Sequence, residues 1–177
     1  MLDRMAAMHG FVPHSMLTYF HRPAIAAAVM GLMGAVFQDE ASTLPPSVKS
    51  KLGIICSAIN GCAYCTSHQC HSAAHPPGGA VGLSEEQLTA LVTGADTGGD
   101  AVEAACFTYA RAASFDAASV TPEVLEELKK VLTSTQIVEL AVVVGMWKMI
   151  NTIHDTLNLP IEDSMQDYAR YLEVAGS

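Results

Sequence analysis

The sequence predicts an all-α fold. Three observations carry that expectation: Pro and Gly fall between periodic segments, runs alternating apolar and β-branched residues are scarce, and helix-start signals recur along the chain. With 177 residues, the simplest organisation is one domain spanning 1–177, long enough to bury a core of its own. Half of the residues are apolar and 15% are charged. An apolar excess of that size predicts either a membrane segment or surface buried between subunits. The longest uncharged apolar run, Pro23 to Phe37, has fifteen residues, short of the eighteen or so that mark a spanning helix. The expectation is therefore a homo-oligomer away from the membrane.

The elements follow in order. Gly10-Phe11-Val12-Pro13 is a loop, with a short helix from about Ser15. Arg22-Pro23 opens a long helix to about Gln38, because a proline in the first turn gives up no hydrogen bond. Leu44-Pro45-Pro46 interrupts, and a third helix runs from Pro46 to about Ile59 with Leu52, Ile55, Cys56 and Ile59 on one face. Asn60-Gly61 is turn chemistry before a helix that begins near Cys62. That helix ends at His75-Pro76-Pro77-Gly78-Gly79. Ser84 and Gln87 form a capping-box pattern for a helix to about Val92, and 93–99 is loop. Asp100 and Glu103 repeat the pattern for a helix to about Ser114. Thr121-Pro122 starts another, as cap and first residue. Thr133 and Gln136 open the longest apolar helix, through Val142, Met146, Ile150 and Ile153. Pro160 ends it, and a closing helix covers Asp163 to Val174.

The formal net charge is −9, from 9 Lys and Arg against 18 Asp and Glu. An acidic chain without a basic stripe repels phosphate backbones, which excludes nucleic acid as the expected partner. The first residues, MLDRMAAMHGF, show no apolar stretch followed by a cleavage site, so the expected compartment is the cytoplasm. Thiols are kept reduced there, and five cysteines, an odd number, read as catalytic or metal-binding before they read as a disulfide framework.

The chemistry concentrates in Asn60 to His75, NGCAYCTSHQCHSAAH. Cys62, Cys65 and His68 follow at steps of three, which places them on neighbouring parts of one helix face. A thiol is a nucleophile only as thiolate, so its reference pKa near 8.5 must fall or a base must act. The helix N-terminus offers free N–H groups and partial positive charge, and Cys62 sits nearest to it. On that ground Cys62 is the more acidic thiol. Zinc is the alternative: Cys62, Cys65, His68, Cys70 and His71 supply enough soft and borderline ligands for a tetrahedral site. Structural zinc sites usually draw two ligand pairs from separate segments, however, and Cys70 falls on another helix face from Cys62. The expected metal and cofactor are therefore none. Cys56 and Cys106 lie on apolar faces and read as core. His75 reads as a helix-end residue. His154 reads as a buried polar residue, with a position facing the thiols as the other option.

At Cys62-x-x-Cys65-x-x-His68 the sequence resembles the alkylhydroperoxidase D-like / carboxymuconolactone decarboxylase superfamily. The likeness runs through His9 to His14, the helix start His21-Arg22-Pro23-Ala24-Ile25, the stretch Ser57 to Cys65, Gly82 to Leu88, and His154 to Glu162. The motif core is about residues 44–115. The resemblance implies an all-helical bundle that assembles into homo-oligomers. It also implies a thiol peroxidase acting on hydrogen peroxide or organic hydroperoxides, with an external dithiol as reductant. By the resemblance, Cys65 is the peroxidatic thiolate, Cys62 the resolving partner, and a histidine one turn on takes the proton. Two positions depart from the alkylhydroperoxidase D pattern. Its histidine lies four residues after the second cysteine, where this chain has Gln69, and His68 matches a related subgroup. Its relay glutamate lies twelve residues before the first cysteine, where this chain has Ser50. By that subgroup, Glu103 is the candidate for the missing carboxylate; helix capping with Asp100 is its other reading. Two further function classes stand beside the peroxidase: a cofactor-free decarboxylase, as found elsewhere in the superfamily, and a non-catalytic redox or zinc-binding protein.

Overall fold

The computed structural model describes residues 11–76, 80, 82–96 and 98–176. Among these residues the regular elements are all helical. They are α1 (His14–Tyr19), α2 (Pro23–Phe37), α3 (Pro46–Ile59), α4 (Ala63–Ala74), α5 (Glu85–Thr93), α6 (Ala101–Phe115), α7 (Pro122–Val131), α8 (Ser134–Thr156) and α9 (Arg170–Ala175). Short 3₁₀ segments cover Ala117–Ser119 and Asp163–Tyr168. The all-α expectation is met.

The helix starts follow the capping chemistry. Capping boxes form at Ser84/Gln87 and Thr133/Gln136, and Pro23, Pro46 and Pro122 occupy first-turn positions. At α6 the Asp100 side chain accepts the Glu103 N–H at 2.9 Å, but the Glu103 side chain turns to Lys51 and to the Gly99 N–H. The expected closing helix divides into the 3₁₀ segment and α9. The thiol helix ends at Ala74 with His75 as its C-cap. Pro77, Gly78 and Gly79 of its expected exit lie outside the described residues, as do Met1 to Gly10, Val81 and Thr97.

α3 is the centre of the bundle and packs on α4, α5, α6 and α8. Its periodicity predicts one apolar face, yet Val48, Lys49 and every residue from Leu52 to Ala58 are buried. Neighbours on all sides require that, and Lys49 is accommodated by ion pairing: its ammonium donates to Val36 O at 2.5 Å and meets Glu139 Oε1 at 3.0 Å. A second, smaller apolar cluster joins Met16 and Tyr19 of α1 to Ala26 and Val29 of α2, with Ile153 of α8 against it. α1 also meets the first turn of α4, where the Ser15 N–H donates to the Tyr64 hydroxyl at 3.2 Å.

α8 is long and apolar enough to cross a membrane by length and composition. One side of it is core, with Leu140, Val143, Val144, Trp147, Ile150, Asn151 and His154 buried. Its other side leaves Val138, Val142 and Met149 exposed.

Candidate active site

The site forms where α4 begins. Gly61 has φ 74°, a left-handed turn conformation that suits glycine, and it redirects the chain from α3 into α4. Cys62 becomes the N-cap: its sulfur accepts the Cys65 N–H at 3.3 Å, and its own N–H donates to Ser57 O at 3.1 Å. Both sulfurs are shielded, with Cys62 0% and Cys65 2% exposed. All five cysteines are free thiols.

The two thiols are electrostatically unequal. The Cys65 thiol hydrogen-bonds the Cys62 sulfur and, with the Cys65 N–H, holds the Cys62 pKa below the usual thiol value against the opposing effect of burial. The same bond, together with burial, pushes Cys65 up. The same contact thus makes Cys62 the lower of the two thiols and Cys65 the higher. This agrees with the position of Cys62 at the helix N-terminus.

Two histidines lie in this region, with different partners. His154 of α8 brings Nδ1 to 3.2 Å from Cys65 Sγ, while its Nε2 lies 2.8 Å from the Tyr19 hydroxyl of α1. Burial, then the charge of His68, pushes the His154 imidazole down to about 4, so it is neutral near pH 7. Burial also raises the Tyr19 phenol to about 12 and keeps it protonated. His68 lies one turn beyond Cys65 and pairs through Nε2 with Glu162 Oε2 at 2.5 Å.

Glu162 Oε1 is held in turn. It accepts the Tyr64 hydroxyl at 2.9 Å and the His14 N–H at 2.7 Å. Burial works to raise the Glu162 pKa, but the His14 N–H and the charge and hydrogen bond of His68 outweigh it, and the carboxyl stays below its usual range. The Tyr64 ring lies over His68, with centroids 4.2 Å apart, and edge-on to His154 at 5.1 Å. The Ser15 N–H donates to the Tyr64 hydroxyl at 3.2 Å.

The other sequence candidates lie elsewhere. The Glu103 carboxylate is paired with Lys51 at 2.7 Å, and the carboxylate that meets His68 is Glu162. Cys70 is buried in the main core, where burial raises its thiol to about 12. His71 packs against His75 and Tyr168, with ring centroids at 4.9 and 5.3 Å. Cys56 and Cys106 are fully buried. Among the described residues no group of three or more His, Cys, Asp or Glu is arranged to hold a metal ion. Sequence reasoning gave no role to Tyr19 or Glu162. Glu162 carried a signal as the last residue of the stretch from His154, whereas Tyr19 carried none.

The carboxymuconolactone decarboxylase family model matches residues 23–112, just over half of the chain, and the protein belongs to that family. Its fold is that of the alkylhydroperoxidase D-like proteins. The debrominase Bmp8 superposes with a TM-score of 0.79 at 23% identity, over 97% of this chain and 89% of that one. An uncharacterized peroxidase-related protein from Silicibacter sp. TM1040 gives 0.80 at 17%, over 93% and 84%. A protein from Ralstonia eutropha JMP134, described as an alkylhydroperoxidase AhpD core, gives 0.75 at 20%, over 96% and 87%. No curated protein matches the chain. Cys62, Tyr64, Cys65 and His68 fall inside the family segment, whereas Tyr19, His154 and Glu162 flank it.

Proposed function

We propose that the protein is a dithiol peroxidase that reduces hydrogen peroxide or organic hydroperoxides, with Cys62 and Cys65 cycling between dithiol and disulfide. The observation that carries this reading is geometric: two free cysteines one turn apart at a helix N-terminus, with the Cys62 sulfur on the Cys65 N–H at 3.3 Å and an imidazole 3.2 Å from Cys65. His68 takes the proton released when the dithiol ionises, and Glu162 supports the resulting charge. The charge resides on Cys62 until the Cys65 proton passes across the thiol–thiol hydrogen bond. Cys65 thiolate then attacks the O–O bond, forming a sulfenic acid, and the leaving alkoxide takes the proton from His68. Cys62 thiol condenses with the sulfenic acid, giving the Cys62–Cys65 disulfide and one water. An external dithiol restores both thiols by exchange and is itself oxidised.

The same reading treats 1–177 as one domain that acts as a homo-oligomer. The exposed Val138, Val142 and Met149 of α8 support burial between subunits. No metal or cofactor has a part in the cycle.

The test is thiol-trapping mass spectrometry of reduced protein before and after one equivalent of hydroperoxide. A rapid Cys62–Cys65 disulfide is expected, and thiols that persist at neutral pH overturn the reading. The substrate panel includes 2,3,4-tribromopyrrole, the compound in complex with a cysteine-to-alanine variant of Bmp8.

A further inference from the structure

The core of the site lies inside the family segment, but the atoms that touch Cys65 from outside α4 come from its flanks. Cys65 Sγ, His154 and the Tyr19 hydroxyl form one line, sulfur to Nδ1 at 3.2 Å and Nε2 to hydroxyl at 2.8 Å. We propose that Tyr19 is a positioning residue: its hydroxyl donates to His154 Nε2, fixes the tautomer with hydrogen on Nδ1, and so aims an N–H at the Cys65 sulfur. This rests on the dithiol reading of the site and extends it to α1.

Donor and acceptor strength decide which nitrogen carries the hydrogen. A neutral imidazole has one N–H and one bare nitrogen. Its two neighbours here, a phenol and a thiol, can each donate or accept. A phenol is a strong donor and a thiol a weak one, so the better pairing is O–H to Nε2 and Nδ1–H to sulfur. Burial supports the starting point by keeping His154 neutral and Tyr19 protonated.

The consequence concerns which sulfur holds the charge. The hydrogen bonds from Cys65 favour ionisation of Cys62. An N–H directed at Cys65 stabilises Cys65 thiolate, because a hydrogen bond to a charged acceptor is about twice as strong as one between neutral groups. It therefore favours passing the Cys65 proton to Cys62 and makes the more C-terminal thiol the nucleophile. His68 and Glu162 act on His154 with opposite signs, and Asp155 and Cys62 each push Cys65 up. Tyr64 sits edge-on to His154 with its hydroxyl committed to Glu162. Among these, His154 is the group hydrogen-bonded to Cys65 from another helix.

Two measurements test the assignment, and neither uses hydroperoxide. Long-range ¹H–¹⁵N spectra of the reduced protein report the His154 tautomer directly. Hydrogen on Nδ1 is expected, and hydrogen on Nε2 overturns the proposal even if no variant folds. Alkylation followed site by site by mass spectrometry compares Tyr19→Phe with wild type and with Thr18→Ala, which loses a hydroxyl bonded within α1 to His14 O. In Tyr19→Phe the ratio of Cys65 to Cys62 labelling at pH 7 falls about tenfold and the Cys65 midpoint rises about one pH unit. Thr18→Ala leaves both where they are. An unchanged ratio and midpoint in Tyr19→Phe means that the residue only packs, and the proposal fails. If hydroperoxide forms no disulfide while the ratio still moves, the peroxidase reading has failed and the positioning role stands.

Discussion

Cys65 Sγ and His154 Nδ1 lie 3.2 Å apart although 89 residues separate them in the chain. His68, one turn from Cys65 on the same helix, is paired with Glu162. The two imidazoles thus have different partners, and the proposed cycle gives them separate tasks that single substitutions resolve. On the proposed dithiol cycle, His68→Ala removes the proton acceptor and is expected to lower hydroperoxide turnover about a hundredfold. His154→Ala is expected to slow Cys65 alkylation in the absence of peroxide, which His68→Ala affects less. Stopped-flow peroxide consumption and site-resolved alkylation on the same preparations check both.

Burial of His154 also makes stability depend on pH. Its pKa falls from 6.5 to about 4 on folding, so between those values the unfolded chain binds the proton that the folded chain refuses. Stability is complete above pH 6.5 and is lost as the pH falls toward 4. The loss attributable to this one group is about 3 kcal/mol at its full extent. In His154→Asn the total fall in unfolding free energy between pH 6.5 and 4, measured with urea, is expected to shrink by about that amount.

The helices were legible in the sequence because their signals are local. Proline at first-turn positions and the pairs Ser84/Gln87 and Thr133/Gln136 are satisfied within a few residues, so no tertiary knowledge is needed. The Cys62, Cys65 and His68 group was legible for the same reason, being one turn of one helix. What was not legible is what the fold brings from a distance. His154 sits in an apolar helix where a buried polar residue is an ordinary finding, and its partner is set by how α8 crosses α4. Tyr19 lies in a six-residue helix with no motif. The burial of Lys49 in α3, 2% exposed, was not legible because its carboxylate partner, Glu139, comes from α8.

The carboxylates at positions 103 and 162 distinguish two relays. Glu103 shares its charge with Lys51, both partly exposed, a pair worth up to about 1 kcal/mol. Glu162 holds His68 and accepts from Tyr64 and the His14 N–H. Glu162→Gln is expected to lower turnover about tenfold by removing the charge that supports protonated His68. Glu103→Gln is expected to change turnover less than about twofold. Reversed magnitudes in steady-state peroxide assays would return Glu103 to the relay.

Lys49 and Glu139 define a last expectation, about stability alone. Lys49 donates to Val36 O and meets Glu139 Oε1 at 3.0 Å, and the Ser42 hydroxyl bonds both partners. The Thr43 N–H also donates to Glu139, at 3.1 Å. The cluster ties the segment between α2 and α3 to the start of α8. Burial works to raise the Glu139 pKa, but Ser42 and Lys49 prevail and bring it down to about 2. Its contribution is therefore present above the ordinary carboxylate range and is lost as pH falls through about 2. Glu139→Ala leaves the buried ammonium unpaired and is expected to cost about 3–5 kcal/mol. Lys49→Met with Glu139→Leu removes both charges and puts apolar side chains in the space. It is expected to cost much less than Glu139→Ala, since a buried ion pair and a well-packed apolar replacement are often near equal. Chemical denaturation of the single and double variants at pH 7 decides between these outcomes. A double variant as unstable as the single one would mean that the cluster holds the segment through geometry, with Ser42 and Thr43 left without acceptors.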